Sequence, residues 1–313
     1  VDVMQGRSDA GATLTLSGDP GRQRKERIVH ALFLAAAFVS VVISALIVIS
    51  LFREAIAFLV QVDVGSLWAD GWFPRRGMYD IKTLVVGTLL VTGIGMLVAG
   101  PVGLGAAVYL SEYASPRARR VLKPILEVLA GIPSVVMGFF ALTWISPNLV
   151  QALWSQASLF NLAAAGIGVG VLTIPLVATI AEDAMHSVPN ALREAAYGLG
   201  SRKRTTSVRV VFPAAVSGIV AAFIVGTSRA IGETMVVAIA AGGTGGSLFT
   251  VDITGPGQTM TAAMMAIATG SDQVKGAALT YESMFFVGAL LFVMTFTLNL
   301  VSERFVRRVR RRY

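Results

Sequence analysis

Between positions 128 and 181 no charged residue occurs. No other feature constrains the fold as strongly. A helix needs about 20 mostly apolar residues to cross a bilayer core, so this run is too long for one crossing. Ser146-Pro147-Asn148 and the polar 151–158 stretch divide it into a third helix at 125–145 and a fourth at 159–181. The runs 28–52 and 83–110, the latter interrupted by Pro101, supply the first and second. The fifth is expected over 212–241 and the sixth over 285–301. Residues 258–270 are apolar but too short to span, and read as a re-entrant or surface segment in a long Gly-rich loop. The expected fold is all-α and integral to the membrane, with six crossings.

The composition agrees. Apolar residues make up 55% of the 313 positions and charged residues 14%, against about a quarter charged in soluble domains. The absence of cysteine excludes disulfides, cysteine zinc sites and thiol nucleophiles. Residues 1–27 are polar and rich in Gly, Ser and Asp, and are expected to be largely disordered. No shorter apolar stretch with a small-residue cleavage site precedes the first long run, so that helix is expected to act as its own insertion signal.

The net charge of +8 is distributed by side. Arg7, Arg22, Arg24, Lys25 and Arg27 precede the first crossing. Arg117, Arg119, Arg120 and Lys123 follow the second, and Arg193, Arg202, Lys203, Arg204 and Arg209 follow the fourth. Arg304, Arg307, Arg308 and Arg310 to Arg312 follow the sixth. The other side carries only Arg53, Arg75, Arg76, Lys82 and Lys275. The positive-inside rule then places both termini in the cytoplasm, with 306–313 as a basic tail. The charges mark the face that meets anionic lipid, and no nucleic-acid partner is expected. Glycines 93, 95, 100, 103 and 105, and 166, 168 and 170, are read mainly as bundle packing, where small residues let helices approach.

The cytoplasmic loop over 186–212 has its own organisation. Pro189 and Asn190 start a short helix, Leu192, Ala195, Ala196 and Leu199 share an apolar face, and Gly200 ends it. Pro213 opens the fifth crossing. Such a helix either docks a soluble partner or lies on lipid. Within the fifth crossing, Arg229 sits about 24 Å along the helix from Pro213. A lone Arg at that depth costs about 2.5–3.5 kcal/mol and usually faces a substrate path. Glu233, at i+4, is placed to pair with it. The pair is then either a packing lock or an anion site in which Arg229 offers a planar fork and Glu233 holds it, flanked by Ser228 and Thr234.

Glu194-Ala195-Ala196, Gly200, Val210, Phe212 and Pro213 resemble the EAA loop of ABC-importer permeases. Phe212 and Val210 stand where Leu and Ile are usual. In that family the loop is the coupling helix seated in an ATPase cleft, and the resemblance implies docking by Ala191, Arg193, Glu194, Ala195, Ala196, Gly198 and Gly200. The segments 229–235 (Arg-Ala-Ile-Gly-Glu-Thr-Met) and 129–138 resemble the phosphate-specific (Pst) branch. Met235 and Gly257-Gln258-Thr259-Met260-Thr261-Ala262 look like its PstC-type member. The resemblance covers 28–305 and implies a type I importer permease fold. It implies a PstA-like second permease, two PstB-like ATPases that bind ATP and Mg, and a PstS-like extracytoplasmic phosphate-binding protein, in a bacterial cytoplasmic membrane. The outer loops 53–82 and 242–282 would meet the binding protein, with Trp68, Trp72 and Phe73 as contacts or interfacial anchors.

No Gly-x-x-x-x-Gly-Lys-Ser/Thr loop occurs, and the Gly-rich 242–247 stretch has no lysine, so the chain itself is expected to bind no nucleotide. Glu127 is expected to form a helix-end salt bridge, and Glu182 and Asp183 a polar network with Arg202 to Arg204. Asp63, Asp70 and Asp80 are read as solvated. His30 and His186 have no metal-ligand spacing, and neither a catalytic nor a metal site is expected. Competing readings are a permease for another oxyanion such as molybdate or sulfate, a secondary anion transporter, and a membrane enzyme such as a lipid phosphatase. A secondary transporter usually shows an inverted repeat, and the enzyme would need a His or paired-Asp constellation; neither pattern is evident. For the orientation, Asp70→Cys should react with an impermeant thiol reagent from outside intact cells, and Lys203→Cys should not. The reverse pattern would overturn the inside assignment.

Overall fold

The computed structural model describes residues 20–68, 70–242, 246–270 and 279–310. The chain divides into a unit ending at Ser50 and a second running from Leu51. The first holds most of helix α1 (Pro20–Gln61). The disorder expected for 1–27 falls outside the described residues up to position 19, whereas 20–27 are helical. The first crossing also runs on to Gln61 rather than ending near 52, carrying Arg53 and Glu54 in its last turns.

In the second unit a small cap precedes helix α2. Strands β1 (Trp72–Phe73) and β2 (Met78–Tyr79) pair antiparallel. Trp72 is buried against Phe58, Tyr79, Leu84, Met260 and Val287, so it is a core residue and not an interfacial anchor, while Trp68 is exposed. Asp80 is fully buried, contrary to the solvated reading. It caps α2 (Ile81–Val108): Oδ1 accepts from the Lys82 amide at 3.1 Å and Oδ2 from the Thr83 hydroxyl at 2.7 Å. The first of these satisfies a backbone N–H that a helix start leaves orphaned.

Helix α2 closes in a π turn at Tyr109–Tyr113. Helix α3 (Pro116–Ala130) follows, capped by Ser115. The sequence reading ran the third crossing through 125–145. The structure instead breaks it at Gly131-Ile132-Pro133 and starts helix α4 at Ser134, ending at Leu153. Proline has no N–H for the helix ladder, which ends α3 and starts α4. Ser146-Pro147-Asn148 do not break the helix. They lie in a π-helical stretch, Ala141–Val150, whose wider turns accommodate the missing N–H of Pro147. Ser146 Oγ donates to the Leu159 carbonyl at 2.6 Å and accepts from Asn161 Nδ2 at 2.8 Å.

Helix α5 (Leu162–His186) packs most extensively on α2. A Cβ at Gly166 would lie 2.7 Å from the Ile94 Cβ, and one at Gly170 would lie 2.7 Å from the Gly95 carbonyl. The backbones meet there, as the small-residue reading expects; Gly93 and Gly105 face open space. Helix α6 (Asn190–Gly198) lies in the loop. Helix α7 (Lys203–Ile231) begins well before Pro213 and passes it through a π turn at Ser207–Val211. It then stops at Ile231, ten residues short of the expected end. Short helices α8 (Met235–Ala240) and α9 (Met260–Ala268) follow, and α10 (Thr280–Arg310) is the sixth crossing. Helix α9 is mostly buried, and the Thr88 hydroxyl accepts from the Met260 amide at 3.0 Å. It is a short helix buried within the protein and too short to span. Gly170→Val should lower stability by about 1–3 kcal/mol, read as a reduced melting temperature in detergent, whereas Gly105→Ala should leave it unchanged.

Candidate functional site

The loop helix α6 is closed by a hydrogen-bond pattern that glycine makes possible. Gly200 has φ +80, its amide donates to the Tyr197 carbonyl at 2.9 Å, and the Ser201 amide donates to the Ala196 carbonyl at 3.0 Å. These two bonds form a Schellman closure, which needs a left-handed residue at that point. Ala191, Leu192, Glu194, Ala195, Gly198 and Leu199 are exposed, Leu199 at 89%. The sequence reading placed Ala196 on that outward face, and the structure turns it inward, where it is 8% exposed. Arg193 also turns inward. Its guanidinium donates to the Val188 carbonyl at 2.6 Å, the Met185 carbonyl at 2.9 Å and Glu112 Oε1 at 2.9 Å. The Arg193 and Ala196 side chains thus attach the helix to the protein, and Leu192, Glu194, Ala195 and Leu199 are left on its exposed face.

Glu112 was not legible as its partner, because the two lie far apart in sequence and only the fold brings them together. Glu182 and Asp183 are also partnered differently from expectation. Glu182, 3% exposed, meets Arg119 at 3.3 Å and Lys123 at 3.2 Å, and Lys123 reaches Asp183 at 3.3 Å. The partners come from α3, not from Arg202 to Arg204. Burial works to lower the Lys123 pKa, but the Glu182 and Asp183 carboxylates outweigh it and hold the ammonium above its ordinary value. Its pairing therefore contributes stability below the ordinary lysine range and loses it only as pH rises through the raised value.

Arg229 stands in the last turn of α7. The chain leaves the helix at Gly232, so Glu233 no longer shares the face that i+4 spacing promised. Among the described residues no ion pair joins Arg229 to Glu233 or to any other carboxylate. Both line one open cavity of about 830 Å³, together with Ser228, Thr179 and Glu127 over apolar walls such as Leu172. Glu127 thus faces this cavity instead of forming the expected salt bridge. The break is fixed from behind: the Thr261 hydroxyl donates to the Glu233 carbonyl at 2.9 Å. Ser228 Oγ donates to Asn299 Oδ1 at 3.0 Å, and Thr234 Oγ1 to the Gly232 carbonyl at 3.3 Å. The arrangement presents a guanidinium fork, with its donors uncommitted to any carboxylate, to whatever anion enters the cavity. Glu127 as a lining residue was missed because hydropathy placed it inside a continuous span.

Comparison with known proteins gives the geometry a context. Residues 99–313 match the family described as binding-protein-dependent transport system inner membrane component. The probable ABC transporter permease protein YqgH of Bacillus subtilis (strain 168) is 32% identical over 234 residues, covering 73% of this chain and 75% of that protein. A phosphate transport system permease protein PstC of Mesorhizobium japonicum is 28% identical over 302 residues, covering 91% and 90%. A chain of a bacterial alginate ABC transporter, crystallised with an alginate pentasaccharide-bound periplasmic protein, superposes with TM-score 0.66 over 91% of this chain and 96% of that one, at 15% identity. That last likeness is one of fold.

The Schellman closure makes a direct prediction. A Cβ at Gly200 would meet nothing within 4 Å, so only backbone conformation limits substitution. Gly200→Val should speed amide exchange at Gly200 and Ser201, and Gly200→Asn, which tolerates the left-handed region, should do so much less. Equal effects from the two would contradict it.

Proposed function

The chain belongs to the binding-protein-dependent transport system inner membrane components, and from that premise we propose that its cargo is phosphate. As a family member it is a multi-pass inner-membrane permease subunit of an ABC importer and not an enzyme. Such a subunit works with a second permease and with ATPase subunits. Residues 28–305 form the permease proper, with both termini in the cytoplasm and ATP and Mg held by the ATPases. The specific partners are a PstA-like permease, two PstB-like ATPases and a PstS-like binding protein that delivers phosphate from outside.

The observation that carries the substrate reading is Arg229, held at the end of α7 in an open cavity and paired with no carboxylate among the described residues. A planar, permanently charged fork suits a tetrahedral oxyanion, and the relatives named for phosphate transport share most of this chain's length. Ser228, Glu233 and Thr234 flank the path. Closure of the ATPases pushes α6 through its outward face of Leu192, Glu194, Ala195 and Leu199. The permease opens outward, receives the anion, and passes it by Arg229 and the partner permease's equivalent group. Ala191, Gly198 and Gly200 set the close approach and sharp exit of that helix.

Vesicles holding this chain with its partner subunits should take up phosphate only with ATP, and Arg229→Ala should reduce uptake by about tenfold or more, the scale of one lost charge-assisted hydrogen bond. Sulfate and molybdate should compete poorly. Undiminished uptake in the variant would make Arg229 a packing residue. Efficient competition by molybdate or sulfate would move the substrate to another oxyanion.

A further inference from the structure

The cytoplasmic end of α2 carries contacts that the substrate path does not use. In the π turn at Tyr109–Tyr113 the Ala114 amide reaches back to the Tyr109 carbonyl at 2.7 Å. Such a widened turn leaves a carbonyl free for a side chain, and π turns recur at functional sites. Here the Leu110 carbonyl accepts from Arg119 Nε at 3.2 Å. Glu112, 4% exposed, turns inward, and its Oε1 accepts from Arg193 Nη2 at 2.9 Å and from the Ser111 hydroxyl at 3.0 Å.

Arg193, 14% exposed, does more than pair with Glu112. Its two terminal nitrogens also hold the Val188 carbonyl at 2.6 Å and the Met185 carbonyl at 2.9 Å. One rigid fork therefore joins the loop helix α6 to the end of α2 and to the end of α5. Around it Ala107, Met185, Val188 and Val211 are buried together. A broken ion pair in that setting would leave a charge without water, which is strongly unfavourable. A planar guanidinium with directed acceptors on three sides has little freedom to stretch. Displacement of α6 along the membrane normal would then reach α2 with little slack.

We propose that Arg193 and Glu112 are positioning residues that form a strut between the coupling helix and the second crossing, closed throughout the transport cycle. The strut carries the push of the docked ATPase into the substrate path. This rests on the import reading above.

The chain contains no cysteine, which makes the test clean. The double variant Glu112→Cys/Arg193→Cys is assembled with its partner permease and ATPases, themselves freed of cysteine, and reconstituted in vesicles. Unlinked, it should still hydrolyse ATP, but phosphate taken up per ATP should fall about tenfold, a typical coupling factor. After treatment with a short bifunctional thiol reagent the ratio should return toward wild type. A mere fold-supporting role would lower assembly and hydrolysis along with uptake. A normal ratio without the link would overturn the strut, and so would a linked complex that stays uncoupled. If the double variant does not assemble, Glu112→Gln, which keeps shape and removes charge, should show the same selective loss; normal uptake per ATP in it would overturn the strut. Absent uptake in the wild-type control would overturn the import reading, and the strut with it.

Discussion

Hydrocarbon offers a backbone amide no water, so every N–H and C=O in a crossing segment has to find its partner within the protein. The rest of this structure follows from how that demand is met where the helices are not regular. At Pro147 and Pro213 the chain stays helical by widening into π turns. At Gly131-Ile132-Pro133 and at 232–234 it breaks, and the second break is bonded from behind by Thr261. The buried helix α9 and the capping carboxylate of Asp80 serve the same demand near the other ends of the helices. The break after Ile231 releases Glu233 from the helix face of Arg229, and so leaves the guanidinium to the cavity.

Charge is handled differently along the molecule. At the end of the bundle that carries α6, carboxylates are buried and paired, Glu112 with Arg193 and Glu182 with Arg119 and Lys123. These pairs tie separate elements together, and an exposed pair would do so only weakly. In the Arg229 cavity the opposite holds: Arg229, Glu233 and Glu127 share a space without closing on one another. Paired charge at one end and uncommitted charge within the bundle is a distribution that fits the proposed import role. In the α2–α5 seam, glycines bring two backbones into contact.

The number of crossings and the place of the short loop helix were legible in the sequence, because length of apolar run and a Pro–Gly-bounded amphipathic segment are local properties. The boundaries were less so. Hydropathy counts apolar side chains and is blind to missing N–H groups, so it merged 125–145 across Pro133 and 212–241 across Gly232. It also gave Pro147 the role of a break, although a π turn absorbs it. Burial of charge was the least legible feature. Asp80 looks like any loop aspartate until the cap closes over it, and nothing local in the sequence shows that α2 brings Glu112 to Arg193. Arg229 stands out in the sequence by its cost in a membrane, but its pairing with Glu233 was inferred from a helix that ends at Ile231.

The proposed coupling requires the exposed face of α6 to meet the ATPase. A photo-crosslinking residue placed in turn at positions 199 and 196 of the assembled complex tests this most directly. Attachment to the ATPase subunit from 199, and only internal products from 196, is the predicted result. Crosslinks to lipid from 199, or to the ATPase from 196, would mean that the helix docks by another face or does not dock at all.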